Sequence, residues 1–187
     1  MEILFATNNK GKIAELRELL PERKILSPAD VGVHLDVIED GATFMQNAEK
    51  KARAFLSATG IASLADDSGL CVEALSGRPG VHSARYAPTD AERIVKLLKE
   101  LKGVRNRKAF FACALYLAKP DGTSLSSEGI CHGEITDKAM GGQGFGYDPV
   151  FWVPSVGKTF AELSRSLKSK VSHRGVAMRS LVKDLAA

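Results

Sequence analysis

"AFFACALYLAKPDGTSLSSEGICHGEIT", residues 109–136, decides the fold class. Its first ten residues form an unbroken apolar run, the pattern of a buried strand. Lys119-Pro120-Asp121-Gly122-Thr123-Ser124 then gathers turn-forming residues. A second extended run follows at 124–136. Two extended runs across so short a turn predict an antiparallel hairpin. Elsewhere strands are interleaved with helices, so an α/β protein with a mixed sheet is expected rather than a purely parallel one.

Working outward, EILFA (2–6) reads as a buried strand and TNNKGK (7–12) as the loop after it. KIAELRELL (12–20) places Ile13, Leu16 and Leu20 on one helical face. RKIL (23–26) is a short strand, and VHLDVIED (33–40) an extended segment ending in acidic residues. Thr43 and Gln46 fit a T-x-x-Q capping box, opening a helix that Gly60 stops. IASLA (61–65) and LCVEAL (70–75) read as two strands, with Asp66 and Asp67 closing the first. Thr89 and Glu92 form a second capping box for a helix to about Leu101. VFWVP (150–154) reads as the last strand. A helical pattern runs from about Ala161, broken near SKVSHRG. No stretch resembles a linker, so residues 1–187 are expected to form one domain.

The 187 residues are 44% hydrophobic, enough for one ordinary core. The net charge is +4, a mild excess that suits a polyanionic ligand. Cys71, Cys113 and Cys131 lie far apart without a CxxC pair, which argues against a zinc ribbon or a thioredoxin-type site. The N-terminus lacks the basic start and long apolar core of a signal peptide. The run at 109–118 is too short to span a bilayer. A cytoplasmic, soluble protein with no membrane partner is expected.

Two phosphate motifs fail on spacing. Gly157-Lys158-Thr159 ends like a Walker A loop, but Trp152 stands where the first glycine belongs. GGQGFGYDP (141–149) is not G-x-G-x-x-G, because Tyr147 occupies the third glycine position. The loop at 7–12 is better placed. A strand-to-helix turn aims free amides and a positive helix end outward, and Thr7, Asn9 and Lys12 add donors suited to phosphate. Glu39, beside a helix start, and the Asp66-Asp67 pair supply carboxylates. Two such groups with phosphate oxygens and water suit Mg²⁺, a small hard cation. Lys168, Lys170, His173 and Arg174 form a cationic arm. Arg174 offers a planar fork to a keto purine edge, and Phe145 and Tyr147 offer rings for stacking on a base. His34, His82 and His132 have no ligand-like spacing.

Together these pieces resemble the inosine triphosphatase (Ham1-like) family of nucleoside-triphosphate pyrophosphatases. The matching elements are ATNNKGK, EDGATF from Glu39, ADDSGL, the G-x-PG-x-x-SARY run at 77–86, GFGYDP, GKTFAEL and SHRG. They run in family order along essentially the whole chain, with a short segment after Tyr86. The resemblance implies a long curved mixed sheet with helices in two lobes and a nucleotide cleft between them. It implies a homodimer, Mg²⁺ dependence and hydrolysis of ITP, dITP and XTP to monophosphate and pyrophosphate. By position it implies triphosphate contacts at Thr7, Asn8, Asn9, Lys10, Gly11, Lys12, Ser68 and Lys168. It puts metal on Glu39 and Asp67, with Asp67 also the base for water. It puts the purine on Phe145, Gly146, Tyr147, Asp148, His173 and Arg174. Which of Asp66 and Asp67 bears which role does not follow from spacing.

Two other readings use some of the same residues. A nucleotide- or RNA-binding module without turnover would use the lysines, but has no use for Glu39 and the aspartate pair. No RNP-like aromatic strand appears, so nucleic acid is not the expected partner. A pyrophosphatase for modified pyrimidine nucleotides is the third reading.

Overall fold

A computed structural model describes residues 2–186. Seven strands form one sheet in the order β2-β1-β3-β4-β5-β6-β7. β1 (Glu2–Phe5) lies parallel to β2 (Lys24–Leu26) and β3 (Ser63–Val72), and every later pairing is antiparallel. β4 (Lys108–Ala118) and β5 (Ser124–Ile135) make the hairpin expected from 109–136, pairing from Lys108↔Glu134 to Ala118↔Ser124. β6 (Phe151–Val153) is followed by the two-residue β7 (Lys158–Thr159), so VFWVP does not hold the last strand.

The largest departure lies in β3. IASLA and LCVEAL do not form two strands; one strand runs through Asp66, Asp67, Ser68 and Gly69. Successive side chains of a strand leave opposite faces. Leu64 thus joins the core with α1 (Lys10–Leu19) and α5 (His173–Ala186), while Ala65 joins that of α2 (Phe44–Thr59) on the other side. Asp66 follows Leu64 and Asp67 follows Ala65, so the adjacent carboxylates point into different layers. Their repulsion is relieved by direction, without any strand end. The segment 33–40 is likewise not a strand; it runs irregularly outside the sheet.

Local signals explain the helix boundaries. Thr43 Oγ1 accepts the Gln46 amide (3.2 Å), while the Gln46 side chain accepts from Ala42 (2.8 Å). Gly60, at φ 69°, closes α2 in the left-handed region that glycine tolerates. Thr89 and Glu92 form the full capping box of α3 (Asp90–Glu100). α1 begins at Lys10, two residues earlier than expected, because Asn9 caps it. The C-terminal helical stretch breaks at Ser172, between α4 (Arg165–Val171) and α5.

A third cluster fills the far end of the sheet. It joins Leu97 of α3 and Leu101, which caps that helix, to Val72, Phe111, Phe151 and Phe160. Full burial of each such side chain is worth about 1.5–3 kcal/mol. α5 lies almost on the backbone of β5. A Cβ at Gly129 would stand 2.1 Å from the His173 carbonyl oxygen and 2.5 Å from the Ala177 amide. That contact fixes the start of α5, where His173 and Arg174 stand.

Candidate functional site

The order of the strands places the candidate residues. Ala6 N donates to Leu64 O (2.8 Å), so the chain leaving β1 emerges beside the aspartate pair of β3. The turn after it is already closed on itself. Asn9 N donates to Thr7 Oγ1 (3.2 Å), and Gly11 N and Lys12 N donate to Asn9 Oδ1 (2.9 and 3.1 Å). The expectation of free amides throughout 7–12 is therefore corrected. An Asx-type cap has taken those of Gly11 and Lys12.

Two hollows flank this turn. The first, of about 220 Å³, is lined on one side by Asn9, Lys12 and Ser68, and on the other by Phe145, Gly146, Tyr147, Asp148, Lys168, His173 and Arg174. The second, of about 290 Å³, is lined by Thr7, Asn8, Glu39, Lys51 and Arg85. Gly11 lies beneath Phe145, whose ring carbons would meet a Cβ there at 3.1 Å. Lys10 joins neither hollow; it is exposed beside Ile13, Arg17 and Asp30. Lys168 lines the first hollow, away from Thr7 and Asn8, with which it was grouped as a triphosphate contact.

Asp66 is fully buried. Lys12 Nζ lies against both of its oxygens (3.1 Å to Oδ1, 3.0 Å to Oδ2), and Oδ2 also accepts from Arg174 Nε (3.2 Å) and Nη2 (3.1 Å). Burial opposes its ionisation, but these cations prevail and hold its carboxyl well below the usual range. Arg174 is only 2% exposed. Its guanidinium also donates to Glu15 and, at 3.1 Å, to Ser68 Oγ. The planar fork expected to face a purine is therefore spent inside the protein, and of its five N–H groups one on Nη1 is left over.

Asp67 faces α2. Asn47 Nδ2 donates to one of its oxygens (2.9 Å) and Ser68 N to the other (2.9 Å). Burial, with Glu39 adding repulsion, raises its carboxyl above the ordinary range against the pull of Asn47 and Lys51. Lys51 Nζ bridges the Asp66 carbonyl oxygen and the Glu39 carboxylate, each at 2.6 Å. Arg85 Nη2 donates to the Glu39 carbonyl oxygen (3.0 Å). Among the described residues no three His, Cys, Asp or Glu side chains cluster closely enough to hold a metal ion by themselves.

On the aromatic side, Lys168 Nζ donates to Asp148 Oδ2 (2.7 Å) and stands 4.7 Å from the centre of the Phe145 ring. Burial lifts the Asp148 carboxyl despite that lysine. His173 stacks on Phe111, with ring centres 4.7 Å apart and planes within 10°. Its Nδ1 is buried without a partner, and burial holds its imidazole well below 6.5, in the neutral form. Tyr147 Oη donates to Ser83 O (3.0 Å), fixing its ring in the wall.

Glu15, Asn47, Lys51, Arg85 and Asp90 also belong to this neighbourhood, and none was a candidate from sequence. One signal was available. Asn47 and Lys51 are four residues apart on α2, next to the buried Ala48 and Ala52, so polar groups lie beside its apolar stripe.

A model of the Ham1 family matches residues 3–184. A protein of Synechocystis sp. named dITP/XTP pyrophosphatase is 48% identical over 184 residues, which cover 96% of this chain and 93% of that protein. A second protein of that name, from Synechococcus sp. strain CC9311, is 50% identical over 185 residues, covering 98% and 89%. The solved Staphylococcus aureus Ham1 protein superposes with a TM-score of 0.90 at 40% identity, covering 100% of this chain and 98% of that one. The Coxiella burnetii HAM1 protein gives a TM-score of 0.90 at 42% identity over the same shares. A family model spanning nearly the whole chain, relatives close to half identical and the same mixed sheet agree: this chain belongs to the Ham1 family.

Proposed function

We propose that this chain hydrolyses keto-purine nucleoside triphosphates, ITP, dITP and XTP, to the monophosphate and pyrophosphate. One observation carries the reading. A single turn, residues 7–12, lines both an aromatic, cation-edged hollow and a polar, oxygen-rich one. A ligand with a flat base at one end and a chain of phosphates at the other matches that pair. The names of the relatives point the same way.

In this reading the base lies against Phe145. A 6-keto oxygen accepts from the donors that remain on Lys168 and Arg174, where the adenine amino group would oppose them. Leaving such buried donors unpaired costs about 1–3 kcal/mol. Thr7 and Asn8 meet the phosphates, with Lys51 and Arg85 as the nearby cations and Lys12 at the junction. Asp67 takes the proton of the attacking water, a task suited to a carboxylate whose affinity for protons is raised.

Glu39 and Asp67 fit Mg²⁺ by their chemistry. Both are hard oxygen donors; Glu39 lines a polar hollow with room for phosphate and water and is close enough to Asp67 to raise its carboxyl. Bound there, Mg²⁺ would neutralise phosphoryl charge and orient water. We place the protein in the cytoplasm as one two-lobed domain that pairs as a homodimer, which light scattering checks directly. Among the described residues no helix is long and apolar enough to cross a membrane.

Incubation with a panel of triphosphates and Mg²⁺ tests the reaction. ITP and XTP are expected to yield monophosphate and pyrophosphate, while ATP and modified pyrimidine triphosphates react far more slowly. IDP ahead of IMP would overturn the cleavage position. In ¹⁸O-water, label in IMP means attack at the α phosphorus; label only in pyrophosphate moves the water and removes the role given to Asp67.

A further inference from the structure

The tip of the glycine-rich loop is held by two carboxylates. Gly144 and Gly146 both have positive φ, 82° and 61°, so the loop turns sharply on either side of Phe145. The Phe145 amide donates to Asp148 Oδ2 (2.9 Å), within the loop. The next amide, of Gly146, donates to Asp90 Oδ2 (2.7 Å), 56 residues away in sequence. Asp90 is the first residue of α3 and lines the same hollow as Phe145. It is braced in turn. Arg93 Nη1 donates to Asp90 Oδ1 (2.6 Å), and Arg93 Nε to the Ala87 carbonyl oxygen (2.9 Å).

We propose that Asp90 is a positioning residue: its carboxylate latches the Gly146 amide and so holds Phe145 where it meets the base. The inference rests on the reaction proposed above. Tyr147, Asp148 and Gln143 anchor the flanks of the loop through Ser83, Lys168 and Ala161. At the tip, between two glycines, the Asp90 contact is the described hydrogen bond that reaches outside the loop. Without it the tip gains backbone freedom, and a base must order Phe145 as it binds. That cost falls on binding rather than on the chemical step.

The test compares wild type with Asp90→Ala and Asp90→Asn. Amide hydrogen exchange of residues 143–148 is expected to quicken by about tenfold or more in Asp90→Ala. Asp90→Asn keeps one acceptor oxygen, which serves Gly146 when the NH₂ turns toward Arg93, itself still held by the Ala87 carbonyl oxygen, so its exchange is expected to lie between wild type and Asp90→Ala. For ITP, Asp90→Ala is expected to raise KM by about tenfold with kcat within about twofold. Inhibition by tripolyphosphate, which has no base, is expected to stay within about twofold. Unchanged exchange at 143–148 overturns the latch. So does equal weakening of ITP and tripolyphosphate, or an Asp90→Asn variant as impaired as Asp90→Ala. A wild-type protein that turns over no keto-purine triphosphate overturns the reaction instead, and the exchange comparison still decides the latch.

Discussion

Asp66→Asn and Asp67→Asn change neighbouring residues by the same atom, and opposite outcomes are expected. Both Asp66 oxygens face only donors, Lys12 against the two of them and Arg174 against Oδ2. An amide there must turn its NH₂ toward one of those cations. It also leaves the positive charge of Arg174 with Glu15 alone inside the protein. Breaking one partner of a buried ion pair costs about 3–5 kcal/mol. At about 2–4 °C per kcal/mol for a chain of this size, Tm is expected to fall by roughly 6–20 °C. Asp67 is different. Its carboxylate is already disfavoured by burial, so neutralising it removes a cost while giving up the hydrogen bond from Ser68. The two effects nearly cancel, and stability should move by no more than about 1 kcal/mol. Turnover of ITP should nonetheless be lost in Asp67→Asn. Thermal unfolding by circular dichroism, with pyrophosphate release on the same samples, reads both. A Tm loss below about 2 °C in Asp66→Asn would refute the ion-pair reasoning. Near wild-type kcat in a folded Asp67→Asn would refute its role as base.

Four further outcomes follow from the same contacts. Arg174→Met should cost about 3–5 kcal/mol in urea unfolding, because Asp66 and Glu15 lose their shared partner, and should also narrow the preference for ITP over ATP; an unchanged ITP/ATP ratio of kcat/KM would remove Arg174 from base recognition. Phe145→Ala should raise KM for ITP by roughly ten- to a hundred-fold, the worth of one base–aromatic stack, and a KM that stays put would mean that the base lies elsewhere. Stability should fall as pH drops below 6.5, by up to about 1.4 kcal/mol per unit, because the unfolded chain takes up a proton that buried His173 refuses; His173→Asn should flatten that slope, and an unaltered slope assigns the proton to another group. Glu39→Gln should raise the Mg²⁺ concentration needed for half-maximal turnover, and identical Mg²⁺ titrations would take Glu39 out of the metal site.

Features set by a few neighbouring residues were legible in the sequence. Thr43, Thr89 and Gly60 bound their helices because a cap needs only a side chain and the amides beside it. The hairpin at 109–136 was legible for the same reason. β3 was misread because Asp66-Asp67-Ser68-Gly69 has the composition of a strand end. What makes it an interior is remote: Lys12 and Arg174 receive one carboxylate, and Asn47 receives the other. Asn9 was grouped with an open loop, though its side chain starts α1. Arg174 lines the first hollow, but its occupation by Asp66 and Glu15 depends on burial that no local pattern reveals. Asp90 was legible only as the residue after a cap, because its partner is an amide in a distant loop.

The span of these contacts also sets when the hollow comes into being. Glu15 and Arg174 are separated by 159 positions, and Asp66 and Arg174 by 108. On a ribosome adding about 5–20 residues per second, Glu15 waits roughly 8–32 s for its guanidinium. Until α5 emerges, Asp66 has Lys12 but not Arg174, and the apolar face of β4 beneath α5 is uncovered. The nascent protein thus has the turn at 7–12 long before the wall formed by Lys168, His173 and Arg174. The first hollow is complete only once α5 is in place, in the same step that buries the open face of the sheet.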